Sequence, residues 1–241
     1  MRIKAVISYD GSRFDGFQIQ KHTANTVMHH LYNALQRVGI ESKIVGSGRT
    51  DKGVHATAQV IHFDLPPFWS ELERLQNLLN ESLRPYIQIK RVVKVPKEFH
   101  ARYSAKRRAY RYLLKKSEPS VFENAYLHHV SNLDIEIIKR NISLFEGRHD
   151  FRYFMKTGSD TKSSVRRIFK TALYEKDDLY VLYFEGDGFL RAQIRLIVGA
   201  LIKLGKGELK PEQIIDQLAC KARYTSTLAP PNGLYLCKII Y

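Results

Sequence analysis

Residues 46–56 read GSGRTDKGVHA, with three glycines crowded around Arg49 and the single carboxylate Asp51, and His55 four residues on. Glycines at this density invite two phosphate-binding readings, and both fail. A dinucleotide fingerprint begun at Gly46 and Gly48 needs its third glycine at 51, where Asp51 would repel a pyrophosphate. A P-loop can use Gly48 and Gly53, but Val54 and His55 replace the lysine and hydroxyl that hold phosphate and magnesium. Metal ligation is equally unsupported, because Asp51 has no second carboxylate beside it and the nine histidines form no H-E-x-x-H pair. Two readings stay open. Asp51 can cap its own β-turn, or it can be a carboxylate held on a rigid loop to act at an electron-poor carbon such as a glycosidic C1′.

Outward from this loop, strands and helices interleave. Residues 2–9 (RIKAVISY) are β-branched and aromatic and stop at the turn signal DGS, which predicts a strand. Thr26 precedes a helical pattern carrying Val27, Leu31, Leu35 and Val38, closed by Gly39. A short strand over 43–46 enters the loop and another, 57–64, leaves it. Ser70 and Glu73 have the spacing of a capping box for a helix with Leu72, Leu75, Leu79 and Leu83. Strands follow over 86–95 and 105–114. The polar segment KKSEPS (115–120) reads as a connection between halves. Beyond it come a helix over 134–146, a hairpin over 164–185 turning at KDD, an apolar helix over 190–204, a short helix opened by Pro211 and a last strand, 234–240. No fixed-period repeat is present. The pattern predicts an α/β fold of the α+β type, a mixed and largely antiparallel sheet with helices packed on it.

Charge narrows the partner. Lys and Arg number 39 against 24 acids, a net +15 over 241 residues, which attracts polyanions, nucleic acid foremost. Residues 90–116 hold eleven Lys or Arg and one acid, Glu98, interleaved with Phe99, Tyr103, Tyr110 and Tyr112. Strand alternation would put Lys106, Arg108, Tyr110 and Tyr112 on one face, cations for phosphates beside rings for bases. Lys162, Arg166, Arg167 and Lys170 add charge later in the chain. A membrane partner finds no run of 18 apolar residues, and the amino terminus reads as a strand and not as a signal peptide. Cys220 and Cys237 have no metal-site spacing; they suit a reducing cytoplasm and read as small buried side chains.

The block G-R-T-D-K-G-V-H-A resembles the signature G-R-T-D-x-G-V-H-A of the tRNA pseudouridine synthase A family, the bacterial enzymes of tRNA positions 38–40. Four further blocks resemble that family in order: YDGSRFDGFQIQ (9–20), FHARYSAKRRAYRYLL (99–114), FLRAQIRLIVGAL (189–201) and APPNGLYL (229–236). Two positions depart from its pattern, Phe17 where tryptophan is commonest and Met28 where glutamine is expected. The resemblance implies two similar halves flanking a central RNA-binding cleft, residues 1–105 carrying the catalytic Asp loop and residues 106–241 completing the active site. It implies an isomerase that turns uridine into pseudouridine at positions 38, 39 and 40 of the anticodon stem-loop, working as a homodimer in the cytoplasm. Asp51 matches the catalytic aspartate, Tyr110 the active-site tyrosine, Arg195 the basic residue that pairs with the aspartate, and Leu234 the apolar pocket floor. Arg49 would hold a phosphate or fill the stack left by an extruded base, and Lys106, Arg107 and Arg108 would meet phosphates. Redox-neutral bond exchange requires no cofactor and no metal. Whether Asp51 attacks C1′, attacks C6 of the pyrimidine or removes the 2′ proton is left open. A non-catalytic RNA-binding module on the same scaffold is the alternative, and a nucleoside-cleaving glycosidase is a third reading that would not need +15.

Overall fold

The computed structural model describes residues 1–158 and 161–241. The chain forms two compact units: Met1–Lys106 together with Tyr235–Tyr241, and Arg107–Leu234.

In the first unit the strands are β1 (Arg2–Tyr9), β2 (Val45–Gly46), β3 (His55–Asp64) and β4 (Ile87–Lys94), with the helices α1 (Val27–Arg37) and α2 (Leu72–Leu83). β1 lies antiparallel between β4 and β3, and β2 extends along β3. Alternate residues of β1 are buried, Ile3, Ala5, Ile7 and Tyr9, as a strand with one face on a core requires. The helices place Leu31, Leu35, Leu79 and Leu83 against Ile61 and Phe63. The Thr26 hydroxyl accepts the His29 N–H at the start of α1, and Gly39, at φ +74°, ends it in the left-handed region. At α2 the sequence expectation is corrected. Glu71 is the N-cap, in extended conformation, without a side-chain cap bond, so Ser70 and Glu73 form no capping box.

In the second unit lie β5 (Arg107–Lys115), β6 (His128–His129), β7 (Gly147–Asp150), β8 (Val165–Lys176) and β9 (Leu179–Gly186), with α3 (Ile135–Asn141), α4 (Gln193–Gly205) and α5 (Pro211–Leu218). Antiparallel pairing runs β5, β9, β8, β7, and β6 joins β5 in parallel. The hairpin turns at Asp177, φ 53°. Its core gathers Phe145, Phe151 and Phe154, in edge-to-face contacts, with Phe184, Ile197 and Leu201. Helix α4 starts at Gln193 and not at 190, because Ala192 takes a left-handed conformation, φ 60°. KKSEPS lies inside this unit and connects nothing beyond it. Lys115 binds Glu123 at 2.7 Å, Lys116 pairs with Glu175, and the Ser117 hydroxyl donates to Asp178.

The final strand, β10 (Leu234–Ile240), pairs in parallel with β3, Tyr235 opposite His55 and Leu236 opposite Ala56. Both cysteines are half-buried, not buried. The fold is thus the expected mixed, largely antiparallel α/β arrangement.

Candidate active site

Asp51 sits half-buried between β2 and β3, on a loop whose shape is fixed from three sides. The first is local. Val54 N–H donates to the Asp51 carbonyl at 3.1 Å, and Gly53 supplies φ +77° for the turn. The second is Gln59 on β3, fully buried. Its carbonyl oxygen accepts the Ser47 hydroxyl at 2.5 Å and its own amide donates to the Gly48 carbonyl at 3.0 Å. The third is the segment 9–20. The Tyr9 hydroxyl bonds Thr50 Oγ1 at 2.7 Å, and Phe17 N–H donates to the Thr50 carbonyl at 3.1 Å.

Two glycines make that approach possible. A Cβ on Gly11 would fall 2.0 Å from the Val54 carbonyl oxygen. On Gly16, at φ +115°, it would fall 3.1 Å from the Thr50 carbonyl oxygen and 3.4 Å from the Lys52 nitrogen. Backbone therefore lies directly against backbone on the underside of the loop. His55 holds the other end: its Nδ1 accepts the Gly11 N–H at 3.0 Å and its ring stacks on Tyr235 at 4.6 Å. Lys52, next to the carboxylate, is engaged with Asp15 at 2.8 Å, and that hydrogen bond holds the Asp15 carboxyl below its ordinary range. Arg49 is exposed on the same loop.

Phe17 and Met28, the two departures, are both buried here. The Phe17 ring stacks on Tyr9 and occupies the space where a side chain on Gly46 would go, at 2.5 Å, so a packed ring is kept. Met28 receives a hydrogen bond from Gln18 at its sulfur, 3.4 Å, and is 4% exposed, which makes it a core residue and no surface for RNA.

On the second unit Tyr110 and Tyr112, two residues apart on β5, behave differently. Tyr110 is half-buried, with its ring edge-on to Phe189 at 5.3 Å. Tyr112 is 0% exposed; its hydroxyl donates to the Pro230 carbonyl at 2.9 Å and so accepts from His128 Nδ1 at 3.1 Å. Burial pushes that hydroxyl's pKa up, with the Arg195 charge pulling the other way. The expectation that Tyr112 offers its ring to a base is corrected: it is core, pinned over Gly233, where a Cβ would lie 2.8 Å from its ring.

Arg195 leaves α4 half-buried, and its Nε donates to the Ala229 carbonyl at 2.7 Å while Ala229 N–H returns to the Arg195 carbonyl. One turn on, Gly199 lets the Thr227 backbone approach to where a Cβ would be 2.0 Å from its carbonyl oxygen. Helix α4 and the segment 227–229 are thereby packed together, and Leu234 is buried. Of the cluster cations, Lys106 is exposed; Arg107 is committed to Glu185 at 2.8 Å and lies over Phe169 at 4.4 Å; Arg108 donates to the Asp187 carbonyl at 2.9 Å. Sequence reading missed Gly11, Gly16 and Gln59 as parts of the site. The first two stood in a quoted block, and their signal was a glycine spacing whose purpose only the close approach reveals.

The loop thus holds one carboxylate in place, in a chain with a large cationic excess suited to a polyanionic partner. The family model for tRNA pseudouridine synthase matches residues 5–104 and 142–241. The chain belongs to the tRNA pseudouridine synthase family, a family of isomerases. It is 43% identical to tRNA pseudouridine synthase A of Wolinella succinogenes over 98% of this chain and 93% of that protein. It is 41% identical to the Helicobacter hepaticus protein of that name over 99% and 98%, and 38% identical to one from Campylobacter jejuni over the whole of both.

Proposed function

We propose that the chain isomerises uridine to pseudouridine in tRNA, at positions 38, 39 and 40 of the anticodon stem-loop, as a cytoplasmic homodimer. In that reaction the N1–C1′ bond breaks, the uracil turns, and a C5–C1′ bond forms. The C5 proton leaves and N1 ends protonated, so the exchange is redox-neutral. Asp51 acts on the sugar–base centre. Tyr110 packs on the flipped uracil and keeps its oxygen near the departing C5 proton. Arg195 is the basic residue that the family resemblance assigns as the partner of the catalytic aspartate. Leu234 lines the pocket floor. Arg49, Lys106, Arg107 and Arg108 meet RNA phosphates, with Arg49 also able to fill the gap left by the extruded base.

The observation that carries the reading is the bracing of the Asp51 loop by the two glycines of segment 9–20, because transition-state work needs a group held in place before substrate arrives. No helix among the described residues is long and apolar enough to cross a membrane, which agrees with a partner met in water. The test is direct. Unmodified tRNA is incubated with the protein and pseudouridine is mapped by mass spectrometry, with conversion expected at 38–40. Binding without conversion would mean an RNA-binding module on this scaffold, and release of free uracil a glycosidase.

A further inference from the structure

The segment 99–104 (FHARYS) contributes to neither the loop nor the residues assigned to chemistry, yet it is built with unusual care. His100 organises it. Its Nδ1 accepts both the Arg102 and Tyr103 N–H groups at 3.2 Å, and its backbone is closed by Ser104, whose N–H donates to the His100 carbonyl at 2.9 Å and whose hydroxyl accepts the His100 N–H at 3.0 Å. Ala101 N–H is taken by the buried His62 Nδ1 at 3.0 Å, which ties the turn to β3. From below, Phe99 packs on Tyr241 at 4.9 Å and Lys4 lies 5.7 Å from the Phe99 ring.

All this order serves to display one ring. Tyr103 stacks on the His100 imidazole, with ring centroids 4.4 Å apart and planes 28° apart, yet the residue remains 76% exposed. Here the hydrogen bonds hold it out. The Arg102 guanidinium stands 5.7 Å from the Tyr103 ring centroid, and residues 97–106 carry three cations against one acid. A rigid ring backed by a second ring and flanked by a guanidinium is the composition that takes an unpaired base whose phosphate needs neutralising. A protein partner would instead call for contiguous apolar surface around the ring.

We propose that Tyr103, backed by His100, is a stacking platform for an unpaired nucleobase of the RNA, distinct from the uridine being converted. The platform rests on the reading that the substrate is RNA. It adds affinity and register, not bond-making, and it accepts any base, because every base offers a π face.

The test measures binding of fluorescently labelled unmodified tRNA to the full-length protein, with single-turnover conversion at saturating protein followed separately. Tyr103→Ala and Tyr103→Leu should each raise Kd by about 5- to 100-fold. Tyr103→Phe and Tyr103→Trp should stay within about twofold of the parent, and the single-turnover rate should be unchanged throughout. Leucine binding as well as phenylalanine would overturn the platform, since an apolar contact would then suffice. Unchanged affinity in both Ala and Leu variants, or a shift in oligomeric state with unchanged affinity, would overturn it in favour of a protein contact. Binding is read without product, so a protein that bound tRNA but formed no pseudouridine would defeat the proposed function and leave this inference standing.

Discussion

The loop 46–56 and strand β5 both carry residues assigned to the substrate, and they are held in opposite ways. The loop is fixed largely by backbone: Gly11 and Gly16 let one chain segment lie on another, Gln59 holds Ser47 and Gly48, and His55 accepts the Gly11 N–H. On β5 the backbone only sets the face, and the cations reach out on long side chains, some already engaged, as Arg107 is with Glu185. The difference follows from the work proposed for each. A carboxylate that must meet one carbon tolerates little displacement, whereas a cation facing phosphates acts over several ångströms through a screened field.

The largest expected effect breaks the loop without touching Asp51. Gly11→Ala drives a Cβ into the Val54 carbonyl, and neither backbone can yield cheaply. A loss of about 3 kcal/mol in unfolding free energy is expected, measured by urea titration. Stability within about 0.5 kcal/mol of the parent would mean that the close approach is not needed.

Next come the two tyrosines of β5. Tyr112→Phe removes the donor to Pro230 and the acceptor for His128, and should cost about 1–3 kcal/mol of stability with tRNA binding unchanged. Tyr110→Phe should leave stability and binding nearly unchanged and abolish turnover if the oxygen helps remove the C5 proton. Interchanged outcomes would exchange the roles of the two residues.

That pair also marks how far the sequence could be read. Strand β1 was legible to the residue, because its alternation of Ile3, Ala5, Ile7 and Tyr9 records a local geometry. So was the start of α1 at Thr26, whose hydroxyl bonds three residues away. Tyr112 was not legible, because what buries it lies at Pro230 and Gly233, more than a hundred residues on. The same holds for the parallel pairing of β10 with β3. Ser70 failed for another reason: a capping-box spacing fits any chain conformation until the backbone chooses its cap, and here it chose Glu71. The turn that carries Asp51 between two strands was legible from its glycines, but the supports beneath it were not, since a glycine does not announce what it lies against.

A smaller effect sharpens the contrast within the cations. Lys106→Gln should flatten the slope of log Kd against log salt by roughly 0.7–0.9, one phosphate's worth. Arg107→Gln should flatten it less, because that guanidinium is partly neutralised by Glu185 in the free protein. Equal changes would show that Arg107 leaves Glu185 for RNA.

The smallest concerns pH. Burial first, then the charges of Arg2 and His100, hold the His62 pKa down from 6.5 to about 4. Between those values the unfolded chain takes a proton that the folded chain refuses. The stabilisation is therefore complete above pH 6.5 and is lost as pH falls through about 4. His62→Asn keeps an acceptor for the Ala101 N–H and cannot protonate, so its Tm should fall less than the parent's across that window. Parallel declines would remove His62 as a contributor.

We propose that the braced loop presents Asp51 to the uridine, and one substitution tests this. Asp51→Asn preserves shape and removes only the charge, so single-turnover conversion of unmodified tRNA at saturating protein should fall to background while the Kd for tRNA stays within about twofold. An Asp51→Asn protein that converts uridine at a tenth of the parent rate or more would remove Asp51 from the chemistry.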